Sequence, residues 1–162
     1  MPAVSTASGG RRDAAVIWHT RRRGLWADVP PSDHEAFAKT VAELAGVDGD
    51  GAERAIEATL VTLGERISRG EAEDLGRHLP DSLARLIARR GPAQGFGADE
   101  FFRRVAGREG TGPETAERHA AAVVAALARR EGRKELHDMI SQLPHELRER
   151  LLALAETGAA RR

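Results

Sequence analysis

The chain has 162 residues and no cysteine; 41% of its residues are hydrophobic and only 4% are aromatic. The lack of cysteine excludes disulfides, zinc-finger spacings and thiol chemistry, and the abundance of alanine, leucine, arginine and glutamate favours helices over sheets. The 25 basic and 25 acidic residues cancel, but residues 33–96 carry twelve acidic against eight basic residues, which disfavours general binding of nucleic acid.

Residues 1–31 are basic, and we predict a largely irregular N-terminal arm. The longest apolar run in this segment, residues 14–18, is too short for a signal-peptide core or a membrane span. We therefore expect a cytoplasmic protein without membrane contact.

The arm holds both tryptophans of the chain among several arginines, and these two residue types are frequent interface anchors. One interpretation is a segment that packs loosely on the body. The other is a recognition arm whose partner-binding residues are Trp18, Arg21, Arg22, Arg23 and Trp26.

The rest of the chain repeats itself at an offset of 64 residues without a gap. From residue 37 to residue 87, 16 of the 51 positions are identical to the residue 64 positions later, including Leu79-Pro80 with Leu143-Pro144. Such self-similarity at a fixed offset indicates an internal duplication. A 64-residue unit would be marginal alone, so we expect a first copy (residues 32–95) and a second copy (residues 96–158) to share one core, followed by a tail at 159–162.

Each copy is predicted to contain four helical stretches. In the first copy, Ser32 with Glu35 and Asp50 with Glu53 have the capping-box spacing and mark the start of the first two stretches. The third is predicted from Glu71 to His78, and Pro80 is expected at the first position of the fourth. Apolar residues at spacings of three and four predict these buried positions: Phe37, Val41, Leu44, Ala52, Ile56, Leu60, Leu63, Ile67, Ala116, Ala120, Val123, Val124 and Leu127. The predicted fold is all-α, an eight-helix array of two tandem four-helix repeats related by an approximate two-fold axis.

Several stretches resemble the bacterial and archaeal domain of unknown function numbered 2267. These are FAKTVAELAG and FFRRVAGREG at the start of the copies, the alanine-rich second helix, and GEAEDLGRHLP with KELHDMISQLP. The resemblance covers about residues 33–157 and implies a duplicated all-helical domain with a Leu-Pro motif in each half. That family has no established activity, so the resemblance implies no site residue.

No motif indicates catalysis or metal binding. VDGDG at 47–51 lacks the later ligands of a calcium loop, and HELRE at 145–149 lacks the final histidine of a zinc-protease motif. No Glu-x-x-His pair occurs, which excludes the usual di-iron site of four-helix bundles. The six histidines are interpreted as surface or helix-end residues. We therefore expect no catalytic residue, no metal and no cofactor.

Two sets of charged residues recur in both copies. One interpretation makes each set a ligand or acid/base pocket. The favoured interpretation places the arginines at the end of the second helix and the carboxylates at the start of the third, where helix dipoles stabilise them and they can pair across the turn. The sets are Arg66, Arg69, Glu71 and Asp74, and Arg130, Arg133, Glu135 and Asp138.

These observations favour a non-catalytic helical protein-interaction or scaffold module, whose partner is another protein or a second copy of the chain. The alternative is a nucleic-acid-binding protein that uses the basic arm and a corner between the third and fourth stretches, with Arg85, Arg89 and Arg90 on the second helix of that corner. The acidic balance of residues 33–96 argues against this alternative. An enzyme is the least favoured class, because it needs a polar pocket with convergent groups.

Overall fold

The computed structural model describes residues 32–88, 92–141 and 143–160, so the predicted arm at 1–31 lies outside the described residues. The described residues form helices and no strand, which confirms the predicted all-α class. Every helix in this part of the chain is too short or too polar to span a bilayer. The helices are α1 (Asp33–Ala45), α2 (Gly49–Arg66), α3 (Arg69–Gly76), α4 (Asp81–Ala88), α5 (Ala98–Glu109), α6 (Pro113–Glu131), α7 (Arg133–Ile140) and α8 (His145–Ala160).

One apolar cluster runs through these helices and takes side chains from both copies. The predicted apolar positions of α1, α2 and α6 are confirmed as buried, except that Leu44 is only partly buried against the cluster. Phe101 and Phe102 of α5 are among the largest fully buried side chains, and their rings meet edge to face with centroids 5.2 Å apart. The helical periodicity of the sequence therefore identifies the faces that form the core.

The two long helices, α2 and α6, occupy the centre of the packing. α2 packs against α1 and α4 of its own copy and against α5 of the second copy. α6 packs against α5 and α8 of its own copy and against α1 of the first copy. The contacts between the copies are thus reciprocal, since each long helix packs on the first helix of the other copy.

Two glycines at equivalent positions end α1 and α5 in the same way. Gly46 and Gly110 have φ values of 72° and 76°, a left-handed conformation that residues with a Cβ adopt at a cost. Their amides donate to Ala42 O at 2.9 Å and to Ala106 O at 2.8 Å. The two glycines therefore end α1 and α5 with the same backbone conformation and the same type of hydrogen bond.

The two Leu-Pro motifs form matching corners. The amide of Leu79 donates to Gly76 O at 3.1 Å, and the amide of Leu143 donates to Ile140 O at 2.9 Å. α4 and α8 begin one residue after the prolines, so Pro80 lies just before the helix and not at its first position as predicted. The carbonyl oxygen of Pro80 accepts from Ala84 N at 2.9 Å and so opens the helical hydrogen-bond pattern.

Two predicted helix starts were wrong in detail. α2 is capped by Asp48, whose carboxylate accepts from Gly51 N at 2.8 Å, and not by Asp50. α3 begins before Glu71, because Ser68 and Glu71 form a capping box: Ser68 Oγ accepts from Glu71 N at 3.2 Å, and Glu71 Oε2 accepts from Ser68 N at 2.6 Å. The cap of α2 and the first residue of α3 thus each lie two residues nearer the N-terminus than predicted.

Candidate functional site

Three polar side chains from α1, α2 and α4 form a hydrogen-bonded chain at the surface. His34 Nδ1 lies 2.6 Å from Ser82 Oγ, and His34 Nε2 lies 2.9 and 3.0 Å from the two carboxylate oxygens of Glu53. Ser82 and Glu53 are exposed, and His34 is partly exposed. We name these three residues the Ser82 cluster; its members lie 19 and 48 positions apart, so only the folded chain brings them together.

The chemistry of the three groups fixes the direction of these hydrogen bonds. An ionised carboxylate can only accept, so Glu53 holds the proton of His34 on Nε2. In the neutral ring Nδ1 then carries a lone pair and accepts from the hydroxyl of Ser82. The order of groups is therefore carboxylate, imidazole, hydroxyl, which is the arrangement that activates a serine.

A cluster at the equivalent place in the second copy contains no nucleophile. Glu117, the counterpart of Glu53, accepts from Arg150 Nη2 at 2.6 Å, and Asp99 accepts from Arg150 Nη1 at 2.7 Å. These hydrogen bonds raise the pKa of Arg150, and its guanidinium also lies 4.8 Å from the centroid of the Phe102 ring. The recurrence of this glutamate 64 positions later is a sequence signal for both clusters, but it does not indicate which residues surround it.

A second histidine–carboxylate pair is buried between α5 and α6. His119 Nδ1 lies 2.6 Å from Glu109 Oε1, and the two side chains are only 10% and 3% exposed. Glu109 Oε2 has no hydrogen-bond partner among the described residues. The prediction of a surface or helix-end position was therefore wrong for His119. The first copy does not indicate such a pair, because Ala45 and Ala55 occupy the equivalent positions.

An ion-pair network joins α2 to α5 at one of the contacts between the copies. Arg108 donates to Glu65 Oε2 and to Thr62 Oγ1, both at 2.7 Å. Arg104 donates to Glu100 Oε2 at 2.9 Å and lies over the ring of Phe96, 4.0 Å from its centroid. The hydrogen bond from Arg108 holds the pKa of Glu65 below its ordinary value, and Arg104 adds to this effect. These arginines stabilise the contact between the copies and are not free for an external anion.

The duplicated charges of the first copy do not pair across the turn as predicted. Arg66 instead donates to the carbonyl oxygen of Phe96 at 2.7 Å. Arg69 pairs with Glu73 within α3, and Asp74 accepts from Arg77 at 2.7 Å. Each of these three side chains therefore has a partner among the described residues.

In the second copy, Arg130 reaches back to the start of the first copy. It donates to the two carboxylate oxygens of Asp33 at 3.2 and 2.9 Å and lowers the pKa of that carboxyl. Arg66 and Arg130 occupy equivalent positions in the two copies. Each donates hydrogen bonds to the segment where the other copy begins. The side chains of Arg133 and Glu135 lie outside the described residues.

The remaining predicted site residues divide into described and undescribed ones. Arg85 is exposed on α4. Within 32–88, 92–141 and 143–160, no group of three or more histidine or carboxylate side chains is placed to hold a metal ion. The partner-binding residues predicted in the arm and the two arginines that follow α4 lie outside the described residues: Trp18, Arg21, Arg22, Arg23, Trp26, Arg89 and Arg90.

Comparison with known proteins gives a family but no activity. A family model described as "Uncharacterized conserved protein (DUF2267)" matches residues 34–150. No curated protein matches the chain significantly. The matched segment contains the long helices, the Ser82 cluster and both Leu-Pro corners, in agreement with the resemblance seen in the sequence. The chain therefore belongs to the uncharacterised conserved family DUF2267.

Proposed function

We propose that the protein is a helical interaction or scaffold module, an eight-helix array of two four-helix repeats related by an approximate two-fold axis. The observation that carries this proposal is the reciprocal packing of α2 on α5 and of α6 on α1. Equivalent helices that exchange contacts in this way are expected when two copies of one unit bury their apolar faces against each other.

Ion pairs at both contacts between the copies support a stiff body. Arg108 with Glu65 joins α2 to α5, and Arg130 with Asp33 joins α6 to α1. A body held in this way presents its solvent-facing helices in fixed positions, as a scaffold must. The charged side chains of these two ion pairs already have partners within the chain. The residues that bind another molecule must therefore be different ones.

The N-terminal arm supplies such anchors in this proposal. Trp18 and Trp26 flank three consecutive arginines, a combination suited to a protein partner with apolar pockets and acidic side chains around them. A second copy of the chain is the alternative partner, since residues 33–96 carry four more acidic than basic residues.

The test is partner capture by the full-length chain compared with a variant that carries Trp18→Ala and Trp26→Ala. We expect the variant to lose the captured protein while its helical circular dichroism and melting temperature stay unchanged. Replacing Arg11 and Arg12 by alanine is the matched control, because it removes two charges from the same segment and keeps both tryptophans. Equal capture by all three proteins, or unfolding of the tryptophan variant, would contradict a recognition role for the arm.

Nucleic-acid binding is the second candidate, and one observation favours it. α3 and α4 pack against each other around the Leu79-Pro80 corner, with Arg85 exposed on the second helix. In helix-turn-helix proteins, however, the N-terminal residues of the second helix contact the bases, and here exposed Asp81 occupies that place. Filter binding of mixed-sequence DNA at low and high salt decides the matter. Salt-sensitive retention that Arg85→Ala weakens would support this candidate over the scaffold role.

A further inference from the structure

We propose that Ser82 is a nucleophile that His34 activates for attack on short-chain acyl esters, an activity that goes beyond the proposed scaffold role. The sequence contains no motif that indicates catalysis, and an enzyme was therefore the least favoured class. The fold brings Ser82 Oγ to 2.6 Å from His34 Nδ1 and holds His34 Nε2 at 2.9 Å from Glu53 Oε1. Nucleophile, base and orienting carboxylate are thus each within hydrogen-bond distance of the next group.

The position of Ser82 in α4 adds a means of stabilising the developing negative charge. Ser82 is the second residue of α4, whose first residues have no helical acceptor for their amides. The amide of Leu83 is already bound to Pro80 O at 2.9 Å, which leaves the amides of Asp81 and Ser82 at the positive end of the helix. An oxyanion that forms on an acyl group attached to Ser82 Oγ would be stabilised by the positive end of this helix.

The surroundings of the Ser82 cluster determine the class of substrate. Ser82 is exposed, as are the carboxylates of Asp81 and Glu53 near it. Two negative charges at an open surface repel anionic substrates, and an open surface binds no long acyl chain. Uncharged esters with a short acyl group and a good leaving group therefore fit the cluster best.

The reaction balances without any group beyond these residues and water. Ser82 Oγ forms a bond to the carbonyl carbon of the ester while its proton passes to His34 Nδ1, and Glu53 stabilises the resulting imidazolium through Nε2–H. The bond from the carbonyl carbon to the leaving-group oxygen then breaks, and that oxygen takes the proton from Nδ1. Water attacks the acyl-serine in the same manner, which releases the carboxylic acid and restores Ser82.

The equivalent cluster of the second copy makes the assignment specific to the first. There Arg150 stands between Asp99 and Glu117, and an arginine cannot act as a base at neutral pH. The glutamate on the second helix is common to both clusters, whereas only the first copy combines it with a histidine and a serine. We therefore expect acylation at Ser82 and not at a corresponding position of the second copy.

The experiment treats the full chain with p-nitrophenyl acetate and measures acetylation of each serine by peptide mass spectrometry. Ser141 is the internal control, because it is also exposed and lies at a helix end, but its hydroxyl donates to Asp138 O and not to a histidine. We expect Ser82 to be acetylated at least about a hundredfold faster than Ser141, the lower end of the range that a positioned general base provides. Equal rates at the two serines in the wild-type chain would overturn the proposal without any variant.

Variants then separate the roles of the three residues. His34→Gln should lower the acetylation of Ser82 to the rate of Ser141, and Ser141→Ala should leave it unchanged. Glu53 acts through His34 as a positioning residue, so Glu53→Gln should lower the rate and also shift the ¹⁵N resonances of the His34 ring away from the Nε2–H tautomer. Unchanged acetylation in folded His34→Gln would show that the cluster only ties α1 to α4, and the proposal would fail while the scaffold role stood.

Discussion

The two copies place a glutamate at the same point of their second helix and use it differently. In the first copy Glu53 binds His34, which also contacts Ser82. In the second copy Glu117 binds Arg150, which also contacts Asp99. Both clusters tie the first, second and fourth helices of a copy together. The glutamate therefore has the same structural task in both copies, whereas the residues around it differ in chemistry.

The cores of the two copies also differ in the sizes of their side chains. Ile56 and Leu60 of α2 correspond to the smaller Ala120 and Val124 of α6. In the opposite sense, Phe102 of α5 is larger than its α1 counterpart, alanine at position 38. The larger side chain and the smaller ones thus lie on two helices of the second copy that pack against each other. Cores tolerate such paired changes when the total volume is kept.

The largest effect that we expect comes from truncating the equivalent leucines of the two long helices. Leu63 and Leu127 are both buried in the shared apolar cluster. Leu63→Ala and Leu127→Ala should each lower the free energy of unfolding by about 2–5 kcal/mol, measured by urea denaturation. If only one variant loses stability, the two copies do not contribute equally to one core, and α2 and α6 are not equivalent in the packing.

The buried pair of the second copy should show the next largest effect. The side chain of Glu109 is 3% exposed, and His119→Leu removes its partner among the described residues, so that the carboxylate is left buried without a hydrogen bond there. We expect a loss of about 3 kcal/mol in the free energy of unfolding.

The double variant Glu109→Met with His119→Leu replaces the pair by apolar side chains of similar size. It should lie within about 1 kcal/mol of the wild type, because no buried polar group is left unpaired. The first copy already has an apolar pair here, Ala45 and Ala55. A double variant that is less stable than His119→Leu alone would mean that the buried carboxylate itself stabilises the fold.

The loss of folding stability at acid pH should distinguish the two contacts between the copies. Arginine hydrogen bonds lower the pKa of both Glu65 and Asp33, so each carboxylate contributes stability above its ordinary pKa that is lost as the pH falls through its lower folded pKa. Glu65 is 18% exposed and Asp33 is 67% exposed, so solvent screens the second contact more strongly.

We therefore expect Glu65→Gln to flatten the loss of stability below about pH 4.5 more than Asp33→Asn does, in urea titrations at successive pH values. The effect should be smaller than that of the buried pair. Added salt should reduce the contribution of Asp33 first, because its ion pair is the more exposed one. An equal response of the two variants would mean that burial does not distinguish the two contacts.

A feature could be predicted from the sequence when the residues that determine it are close in the chain or recur at a fixed offset. Apolar spacing and the fixed offset of 64 residues are local or periodic signals, and they gave the helices, the buried face of α2 and the Leu-Pro corners. The Ser82 cluster and the Glu109–His119 pair depend on how helices pack, and the residues before and after His34 or His119 carry no trace of that packing. The helix start at Asp48 was missed for a different reason, because Asp50 offered a competing cap two residues away.

The smallest effect concerns two buried threonines of α2. Thr59 is 0% exposed, and its hydroxyl has no partner among the described residues. Thr59→Val removes that hydroxyl at nearly constant shape and introduces the residue type found at the equivalent position in the second copy, Val123. The free energy of unfolding should stay unchanged or rise by up to about 1 kcal/mol.

Thr62→Val is the matched control, because the Thr62 hydroxyl donates to Ala58 O and accepts from Arg108, both at 2.7 Å. It should lower the stability by about 1 kcal/mol. A loss of stability in Thr59→Val as large as in Thr62→Val would mean that the Thr59 hydroxyl has a partner in solution, and that α2 and α6 differ at this position for a reason other than the cost of a buried hydroxyl.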